Sequence, residues 1–407
     1  MPTDPQDTPR PLPDRPNLRH LKDQAKDLFE SGVAKSLSAA QFQVAKLYGF
    51  ASWPKLKAYI GLLGEAGQLK AAIDQNDLDR VKEMMTRNPA LHRAPLGYGK
   101  DGPLTWVAEC RVPWGPPSPA RLAMAKWMIE NGSDVHQGGD GPLMRAALQE
   151  RIPMMELLVA HGADVNAEWH GEYPIVYSAS EAIDAVSLEW LLDHGANPNC
   201  DTLKRKYRDT ALDYVIGSYG RSPSQLSACI DVLLAAGCRT RYDAPSVLAV
   251  LTQRLGRLKE QLEADPQLIH RRFPELDCGS TGARRLLLTG ATLLHVAAEF
   301  GIADAVILLL DRGADVNARA DVDEAGVGGQ TAIFHAATQF GDDGLPIVRL
   351  LVERGADLSV RVKLPGHYEQ PDEVIDCTPL GYAMRFQQES QPRGATVAFL
   401  RERGAPL

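Results

Sequence analysis

The residue types that carry chemistry are present in this chain, but few stand at spacings that a reaction or a bound ligand needs. Residues 97–102 read GYGKDG and fit G-x-G-x-x-G, a glycine pattern that cradles a dinucleotide when it follows a strand, whereas here it follows a predicted helix. Residues 326–331 read GVGGQT and lack the lysine that a P-loop places on phosphates. Asp321 and Asp323 begin like a calcium loop, but alanines follow where oxygen ligands are needed. We therefore expect no dinucleotide, phosphate or calcium site.

Nucleophiles and metal ligands show the same lack of pattern. Neither H-E-x-x-H nor a nucleophile elbow occurs, and no cysteines form a C-x-x-C pair. The six cysteines are Cys110, Cys200, Cys229, Cys238, Cys278 and Cys377. Cysteines scattered in this way are typical of reduced thiols that pack as small apolar residues. The sequence therefore predicts no catalytic residue, no metal and no cofactor, and we expect that the protein is not an enzyme.

Composition and charge narrow the classes of function further. The 407 residues are 44% hydrophobic and 24% charged, which is enough apolar material for a sizeable core. The formal net charge is −8, which argues against a chain that binds nucleic acid by bulk charge. No run of about 18 uncharged apolar residues occurs, and the N-terminus lacks the apolar core of a signal peptide. We expect a cytoplasmic monomer with no membrane contact.

The stretch 290–318 has the strongest local pattern, that of two short helices joined by a turn. Thr292 can cap the first helix, because its hydroxyl accepts from a free N–H of the first turn. Gly301 ends that helix, and Gly313 supplies the left-handed cap of the second. The apolar stripes are Leu294, Ala297 and Ala298 in the first helix and Val306, Leu309 and Leu310 in the second. Helices below the ~12 residues that an isolated helix needs must pack on neighbours.

This pattern resembles the ankyrin repeat. The positions that match the family motif without a gap are Thr292, Leu294, His295, Ala297, Ala298, Gly301, Val306, Leu309, Gly313, Ala314, Asp315 and Asn317, and Leu293 stands where the motif usually has proline. The resemblance implies stacked helix pairs, loops that project as fingers from one edge, and a concave face lined by the first helix of each pair. It also implies that His295 makes structural hydrogen bonds near the helix start and has no catalytic role.

Turn glycines recur along the chain at spacings near the ankyrin period. They are Gly132, Gly162, Gly195, Gly237, Gly313, Gly355 and Gly404, with successive gaps of 30, 33, 42, 76, 42 and 49 residues. Because an ankyrin repeat is about 33 residues long, the longest gap contains a further repeat at 244–276. There an Asp-Pro pair at 265–266 replaces the turn glycine, as an Asn-Pro pair does at 88–89. The sequence predicts an all-α fold, an ankyrin solenoid of about nine repeats over 67–407.

Extra length is concentrated in loops. The enlarged finger loops are 200–208, 271–289, 318–330 and 360–377, and the enlarged loops between paired helices are 110–119, 217–225 and 386–394. Insertions at repeat junctions often form a binding edge, although loop growth itself costs only ~0.6 kcal/mol for each doubling. The finger-loop residues that we expect to contact a partner are Lys204, Arg205, Tyr207, Arg208, His367 and Tyr368. The basic run at 204–208 could bind an acid or phosphate, whereas a solvated finger is the commoner outcome.

The chain ahead of the repeats falls into two parts. Residues 1–16 contain six prolines and are expected to form a disordered lead-in. Residues 17–62 form a predicted helical leader, and 15–60 carries eight Lys or Arg against three acidic residues. The leader resembles the short helical segment ahead of the repeats in some bacterial ankyrin proteins, and we expect it to cap the first repeat. The side chains expected in that interface are Leu21, Leu28, Phe42 and Trp53, packed on Leu69 and Ile73.

The basic charge of the leader leaves an alternative open. Residues 44–52 also look like a helix-turn-helix of the AraC type, and Lys55 and Lys57 would then reach DNA phosphates. The helix that would read the bases begins Trp53-Pro54 and offers no arginine, asparagine or glutamine for base edges. The cap is therefore favoured, and nucleic acid is the less favoured partner.

One position of each first helix indicates where a partner binds. The residue after the motif histidine lies about 200° around the helix from the first core residue, since each residue turns ~100°, and is expected to face the concave side. This slot holds Ala71, Trp106, Arg145, Tyr177, Tyr214, Val296, His335 and Tyr382. Exposed aromatic rings in register are costly unless a partner covers them. We predict that Trp106, Tyr177, Tyr214 and Tyr382, with Arg145 and His335, line one peptide-binding groove; the alternative is that loops such as 110–119 and 217–225 bury them.

The function that these observations favour is a protein-interaction scaffold that binds a protein or peptide through its concave groove and finger loops. The first alternative is a DNA-linked regulatory adaptor whose basic leader contacts DNA. The second is a small-ligand binder or enzyme that uses the inserted loops. The sequence does not identify the partner, because fold alone does not specify function.

Overall fold

A computed structural model of the chain describes residues 9–13, 16–200, 210–281, 284–370, 372–386 and 394–407. These residues form twenty α-helices and four short strands. They divide into two compact units. The first unit holds the described residues up to 146 together with 153–163, and the second holds 147–152 and the described residues from 164 onward. The fold is mostly helical, and the all-α prediction misses the two small antiparallel hairpins.

The helices are short, apart from the third. The first eight are α1 Leu18–Glu30, α2 Leu37–Leu47, α3 Trp53–Asp74, α4 Leu78–Arg87, α5 Pro103–Glu109, α6 Pro119–Glu130, α7 Gln137–Leu148 and α8 Ile152–Ala160. The next six are α9 Ile175–Ala182, α10 Ala185–Asp193, α11 Ala211–Gly217, α12 Pro223–Ala235, α13 Pro245–Leu251 and α14 Leu255–Ala264. The last six are α15 Leu293–Glu299, α16 Ala303–Asp311, α17 Ala332–Ala337, α18 Leu345–Glu353, α19 Pro379–Arg385 and α20 Gly394–Glu402. The strands are β1 Glu168–Trp169, β2 Tyr173–Pro174, β3 Val362–Pro365 and β4 Val374–Cys377.

The helix pair α15–α16 forms as the sequence predicts. The Thr292 N–H donates to His295 Nδ1 at 3.2 Å, so the neutral ring carries its proton on Nε2, which lies 3.1 Å from the Gln330 carbonyl oxygen. Gly313 follows α16 with φ of 91°, in the left-handed region that glycine favours. Leu309 is fully buried. These contacts confirm the structural role predicted for His295.

The longest gap between turn glycines contains the helix pair that the sequence predicts. Helices α13 and α14 lie within 244–276, and a 3-10 turn at Pro266–His270 follows them in the same range. The Asp265 carboxylate accepts from the Gln267 N–H at 3.1 Å, as the Asn88 side chain accepts from the Ala90 N–H at 3.2 Å. The prediction that an Asp-Pro or Asn-Pro turn replaces the glycine is therefore confirmed at both sites.

The leader packs on the first half of α3. Helices α1 and α2 share a hydrophobic cluster with Leu56 and Ile60, which lie in that half of α3. Ser52 caps α3, and the helix then runs without interruption to Asp74, through the predicted boundary between leader and repeats. Its second half pairs with α4.

The predicted contacts of the leader are therefore wrong in part. Leu21 is buried, but Phe42 is 48% exposed, because α2 buries its opposite face. Leu69 and Ile73 are buried on the second half of α3, outside the leader cluster. The leader thus has a small core of its own.

Backbone pairing links three finger loops of the second unit. Strand β3 is antiparallel to β4, with Val362 opposite Cys377. Gly328 in the finger before them pairs with Lys363, and Arg284 in an earlier finger pairs with His367. The enlarged fingers 271–289, 318–330 and 360–377 are therefore held together as a row, which positions their side chains against the first helices.

Candidate partner-binding site

In the first unit the two predicted binding residues, Trp106 and Arg145, are covered. Trp106 and Arg145 are 7% and 8% exposed, so the expectation that these two side chains are open to solvent is wrong. The Trp106 Nε1–H donates to Asp74 Oδ1 at 2.7 Å, and the Lys70 ammonium lies 4.2 Å from the centroid of its ring. Both partners lie on α3, so a neighbouring first helix covers the Trp106 side chain.

In the second unit the expected exposure is also wrong for Tyr177, His335 and Tyr382, which are 4%, 0% and 0% exposed. The Tyr382 hydroxyl donates to the Pro365 carbonyl oxygen in β3 at 3.1 Å, and its ring meets that of Phe386 edge to face. Finger strands and loops shield these side chains from solvent through contacts between residues that are distant in sequence. Tyr214 alone of the six predicted residues is partly exposed. Contact of these residues with a partner stays a prediction.

His335 belongs to a buried group of ionisable side chains that we call the Glu299 cluster: Glu299, Arg221, Arg284 and His335. Arg284 Nη2 lies 2.8 Å from Glu299 Oε2, and Arg221 Nη2 lies 2.6 Å from Glu299 Oε1. His335 Nδ1 lies 2.7 Å from Glu299 Oε2. Arg221 comes from loop 217–225 and Arg284 from finger 271–289, so one carboxylate at the end of α15 anchors two inserted loops.

The charge of Glu299 persists in this buried place because of its partners. Burial by itself opposes ionisation, but Arg284 and Arg221, with His335, lower the pKa of Glu299 to about 2. Both guanidinium groups also donate to backbone carbonyl oxygens, Arg221 to Ser218 and Arg284 to Gly279. A buried ion pair is stable only when its remaining hydrogen-bonding capacity is satisfied in this way.

His335 is neutral in this cluster. Burial lowers its pKa, and the two neighbouring guanidinium groups act in the same direction, against the opposing effect of Glu299. The Nδ1–H group donates to Glu299, so Nε2 of the neutral ring carries a lone pair and no proton. That atom is buried and has no hydrogen-bond partner among the described residues. A second proton would be buried there unsatisfied, which is why the neutral ring is favoured.

A second group, which we call the Glu181 cluster, consists of Glu181, Tyr173, Tyr214 and Tyr219. Glu181 Oε2 accepts from the Tyr173 hydroxyl at 2.7 Å and the Tyr214 hydroxyl at 3.4 Å, and Oε1 accepts from the Tyr219 hydroxyl at 3.1 Å. The ring of Tyr214 stacks on that of Tyr177, with centroids 4.5 Å apart. The predicted slot residues Tyr177 and Tyr214 are therefore brought together.

The tyrosines of the Glu181 cluster keep their protons. Burial, with the adjacent Glu181 charge, raises the pKa of Tyr214 to about 12 and raises the pKa of Tyr173 and of Tyr219. Tyr219 is nevertheless 56% exposed. The sequence reasoning missed Tyr173, Glu181 and Tyr219 as site residues, although Tyr219 lies in the enlarged loop 217–225 that it singled out.

A cavity of about 350 Å³ opens beside the Glu181 cluster. Its charged and aromatic walls are Glu181, Asp213, Tyr214, Tyr219, Arg241, Tyr242 and Asp277. Loop 217–225 and finger 271–289 both contribute to it, and the Glu299 cluster anchors both of these segments. The cavity is therefore shaped by loops that are fixed in place.

The predicted finger-loop residues divide between two outcomes. Lys204, Arg205, Tyr207 and Arg208 lie outside the described residues. Tyr368 is 56% exposed and its ring stacks on His367 at 4.8 Å, while the His367 N–H donates to Glu373 at 3.0 Å. Their contact with a partner stays a prediction.

Two of the weak sequence signals, the glycine-rich stretch 97–102 and the cysteines, can be placed in the structure. The glycine-rich stretch 97–102 forms a 3-10 turn ahead of α5, whose seven residues do not follow a strand. All six cysteines are buried, and burial raises the pKa of Cys278 to about 12, so it stays protonated. Within the described part of the chain there is no group of three or more His, Cys, Asp or Glu residues that could hold a metal.

The helices of the described residues are too short or too polar to cross a membrane. In the leader, Lys55 and Lys57 lie exposed on the first turns of α3. Nothing tests contact of this surface with DNA, which stays a prediction.

Comparison with known proteins supports ankyrin repeats in this chain. The family model "Ankyrin repeats (3 copies)" matches residues 118–202 and 262–362. The mouse protein "Ankyrin repeat domain-containing protein SOWAHD" is 32% identical over 147 residues, which is 35% of this chain and 40% of the mouse protein. This chain thus aligns with less than half of that relative's length. The solved ankyrin repeat domain of human ASB11 is 20% identical and covers 63% of this chain and 99% of its own, with a TM-score of 0.37.

Proposed function

We propose that this protein is a non-catalytic scaffold that binds a partner protein through the exposed side of the Glu181 cluster. Ankyrin repeats commonly mediate protein–protein interaction, and the repeats here support that class of function. The covered slot residues do not offer the continuous groove expected from the sequence. The surface that replaces it is built by Tyr219, Tyr214 and the cavity beside them.

One observation carries this proposal: Tyr219 is 56% exposed and yet held in place. Its hydroxyl donates to Glu181 at 3.1 Å, its carbonyl oxygen accepts from Thr281 Oγ1 at 2.9 Å, and its loop is anchored by Arg221. A rigid exposed tyrosine loses little conformational entropy when a partner covers it, and tyrosine is favoured as an interface anchor. This surface therefore has the properties of a binding hot spot.

Several finer features belong to the same proposal. The repeats number nine between 67 and 407, and residues 17–62 cap them. The protein acts as a cytoplasmic monomer in a bacterium and contacts its partner also through the finger loops, including His367 and Tyr368. Neither a cofactor nor a metal takes part.

Site-specific photo-crosslinking in the source cell tests the binding surface. The change Tyr219→benzoylphenylalanine keeps an aromatic ring at the proposed contact, and Ile307→benzoylphenylalanine on α16 is the matched control, since Ile307 is 39% exposed and distant in sequence from the cluster. We expect a discrete crosslinked protein at position 219 that is absent at position 307. No crosslink at 219, or the same products at both positions, would contradict the proposal.

The second expected outcome is that removal of the Tyr219 ring weakens binding of the partner. Tyr219→Ala should reduce affinity for the crosslinked partner by ~1–3 kcal/mol, which is the range of interface anchors. The melting temperature should change little, because the ring is largely exposed. Unchanged affinity would move the binding surface away from Tyr219.

A further inference from the structure

The walls of the cavity beside the Glu181 cluster carry an excess of negative charge. Among the described lining residues, three carboxylates, Glu181, Asp213 and Asp277, face one guanidinium, Arg241. Arg241 is committed to one of them, because its Nη2 lies 3.0 Å from Asp277 Oδ1. The nearby Arg221 is not part of the lining and shares Glu299 with Arg284. Among the described lining residues, the other two carboxylates therefore have no cationic partner.

Neutral donors surround the other two carboxylates. Within the described residues, the Glu181 carboxylate accepts hydrogen bonds from tyrosine hydroxyls only. Asp213 accepts the Thr240 hydroxyl at 2.6 Å and the backbone N–H groups of Arg241 and Thr210 at 3.0 and 3.4 Å. Such donors stabilise a carboxylate but do not cancel its charge, so both groups attract a cation.

Arg241 shows which kind of cation these walls accommodate. Its guanidinium lies 4.8 Å from the centroid of the Tyr242 ring and donates to both the Tyr242 hydroxyl and Asp277. A guanidinium is planar, stacks on aromatic rings and donates to carboxylates through several N–H groups at once. Glu181 with the rings of Tyr214 and Tyr219 presents the same combination of groups, and no guanidinium of the described residues pairs with that carboxylate.

We propose that this cavity receives an arginine side chain from the partner protein. The arginine guanidinium stacks against Tyr214 or Tyr219 and donates to Glu181, while its aliphatic stem covers the exposed face of the Tyr219 ring. This inference rests on the proposed function, since it specifies the chemistry of the partner at the same surface. A volume of about 350 Å³ lies within the range of pockets that enclose a ligand group.

A peptide library is the probe for this proposal. The full chain is screened against random twelve-residue peptides, selected peptides that compete with the position-219 crosslink are synthesised, and their affinities are measured by fluorescence polarisation. We expect the peptides to share an arginine. Replacing that arginine by citrulline, which keeps the shape and removes the charge, should weaken binding at least tenfold. Replacement by lysine should weaken binding less than citrulline does.

Variants of the pocket complete the test. Glu181→Gln and Asp277→Asn should each weaken the arginine peptide and leave the weak citrulline peptide nearly unchanged. Asp311→Asn is the matched control, because Asp311 makes an exposed pair with Arg354 at 2.8 Å outside the cavity, and it should change neither affinity. Equal binding of arginine and citrulline peptides, or competing peptides without arginine, would overturn the arginine pocket and leave the scaffold intact. Absence of any crosslink at position 219 would instead refute the proposed function itself.

Discussion

Two carboxylates hold the same inserted loop of the second unit in different ways. Glu299 binds loop 217–225 through Arg221, at 2.6 Å, and no part of the Glu299 side chain is exposed. Glu181 binds that loop through the Tyr219 hydroxyl at 3.1 Å and through its own carbonyl oxygen, which accepts from Ser218 Oγ at 3.1 Å. The first carboxylate has charged partners, whereas the second has neutral ones and remains partly exposed.

This difference separates a structural charge from one that can act on a partner. A charge taken wholly out of water needs opposite charges, and Arg221 and Arg284 supply them to Glu299. With two positive partners, that carboxylate presents no net negative charge to a ligand. Glu181 keeps part of its hydration, so hydroxyl donors suffice and its negative charge persists at the mouth of a cavity.

The largest expected effect comes from removing the buried charge. Glu299→Gln leaves two guanidinium groups buried with an amide that accepts fewer hydrogen bonds, and should reduce the free energy of unfolding by ~3–5 kcal/mol. Glu181→Gln keeps an acceptor oxygen for the tyrosine hydroxyls and should cost ~1 kcal/mol or less. Urea denaturation of the two variants measures both values.

The exposed pair Asp311–Arg354 calibrates this comparison. Asp311→Asn removes a carboxylate whose side chain is 56% exposed, and should change the free energy of unfolding by no more than ~1 kcal/mol. Similar losses for Glu299→Gln and Asp311→Asn would show that Glu299 is not a buried anchor, and the contrast between the two clusters would then collapse.

As the pH decreases, the buried histidines should lower the free energy of unfolding at a higher pH than Glu299 does. Burial, with the neighbouring His335, lowers the pKa of His295 to about 3, and burial also lowers the pKa of His335. Because the unfolded chain binds these protons near pH 6.5 and the folded chain does not, stability is complete above that pH and falls as the pH decreases below it. Each histidine contributes a slope of ~1.4 kcal/mol per pH unit.

The histidine contribution can be isolated with His335→Gln. This variant should show a shallower loss of stability between pH 6.5 and 4.5 than the parent protein, when urea midpoints are compared at each pH. Below pH 4.5 the parent protein should also lose the stability that the Glu299 ion pairs contribute. The unfolded chain binds a proton at Glu299 near pH 4.5, whereas in the folded protein the pKa of Glu299 is lowered to about 2. Equal slopes in parent and variant would mean that His335 is charged in the folded protein.

Sequence reasoning reached the elements whose signals are local. The Thr292 start, the Gly313 cap and the Asp-Pro turn at 265–266 lie within a few residues of the helices they end or begin, and the structure confirms them. The six predicted binding residues lie on the expected helices, but five of them are buried and Tyr214 is only partly exposed. Their cover comes from contacts such as Arg221 with Glu299, which are 78 residues apart. A helical periodicity does not predict such a contact. Of the Glu181 cluster, the sequence therefore predicted only Tyr214 as a site residue.

The smallest expected effect concerns the open edge of the Glu181 cluster. Tyr219→Phe removes one hydroxyl from Glu181 while keeping the ring, and the site is largely exposed, so water can replace the lost donor. Loss of stability should be ~0.5 kcal/mol, less than for Tyr173→Phe, whose hydroxyl lies 2.7 Å from the same carboxylate and whose ring is more buried. Binding of an arginine peptide should survive Tyr219→Phe, because the aromatic face and the charge of Glu181 both remain. A larger loss of stability for Tyr219→Phe than for Tyr173→Phe would contradict the assignment of Tyr219 to the binding surface, and would place it with Arg221 among the anchors of the loop.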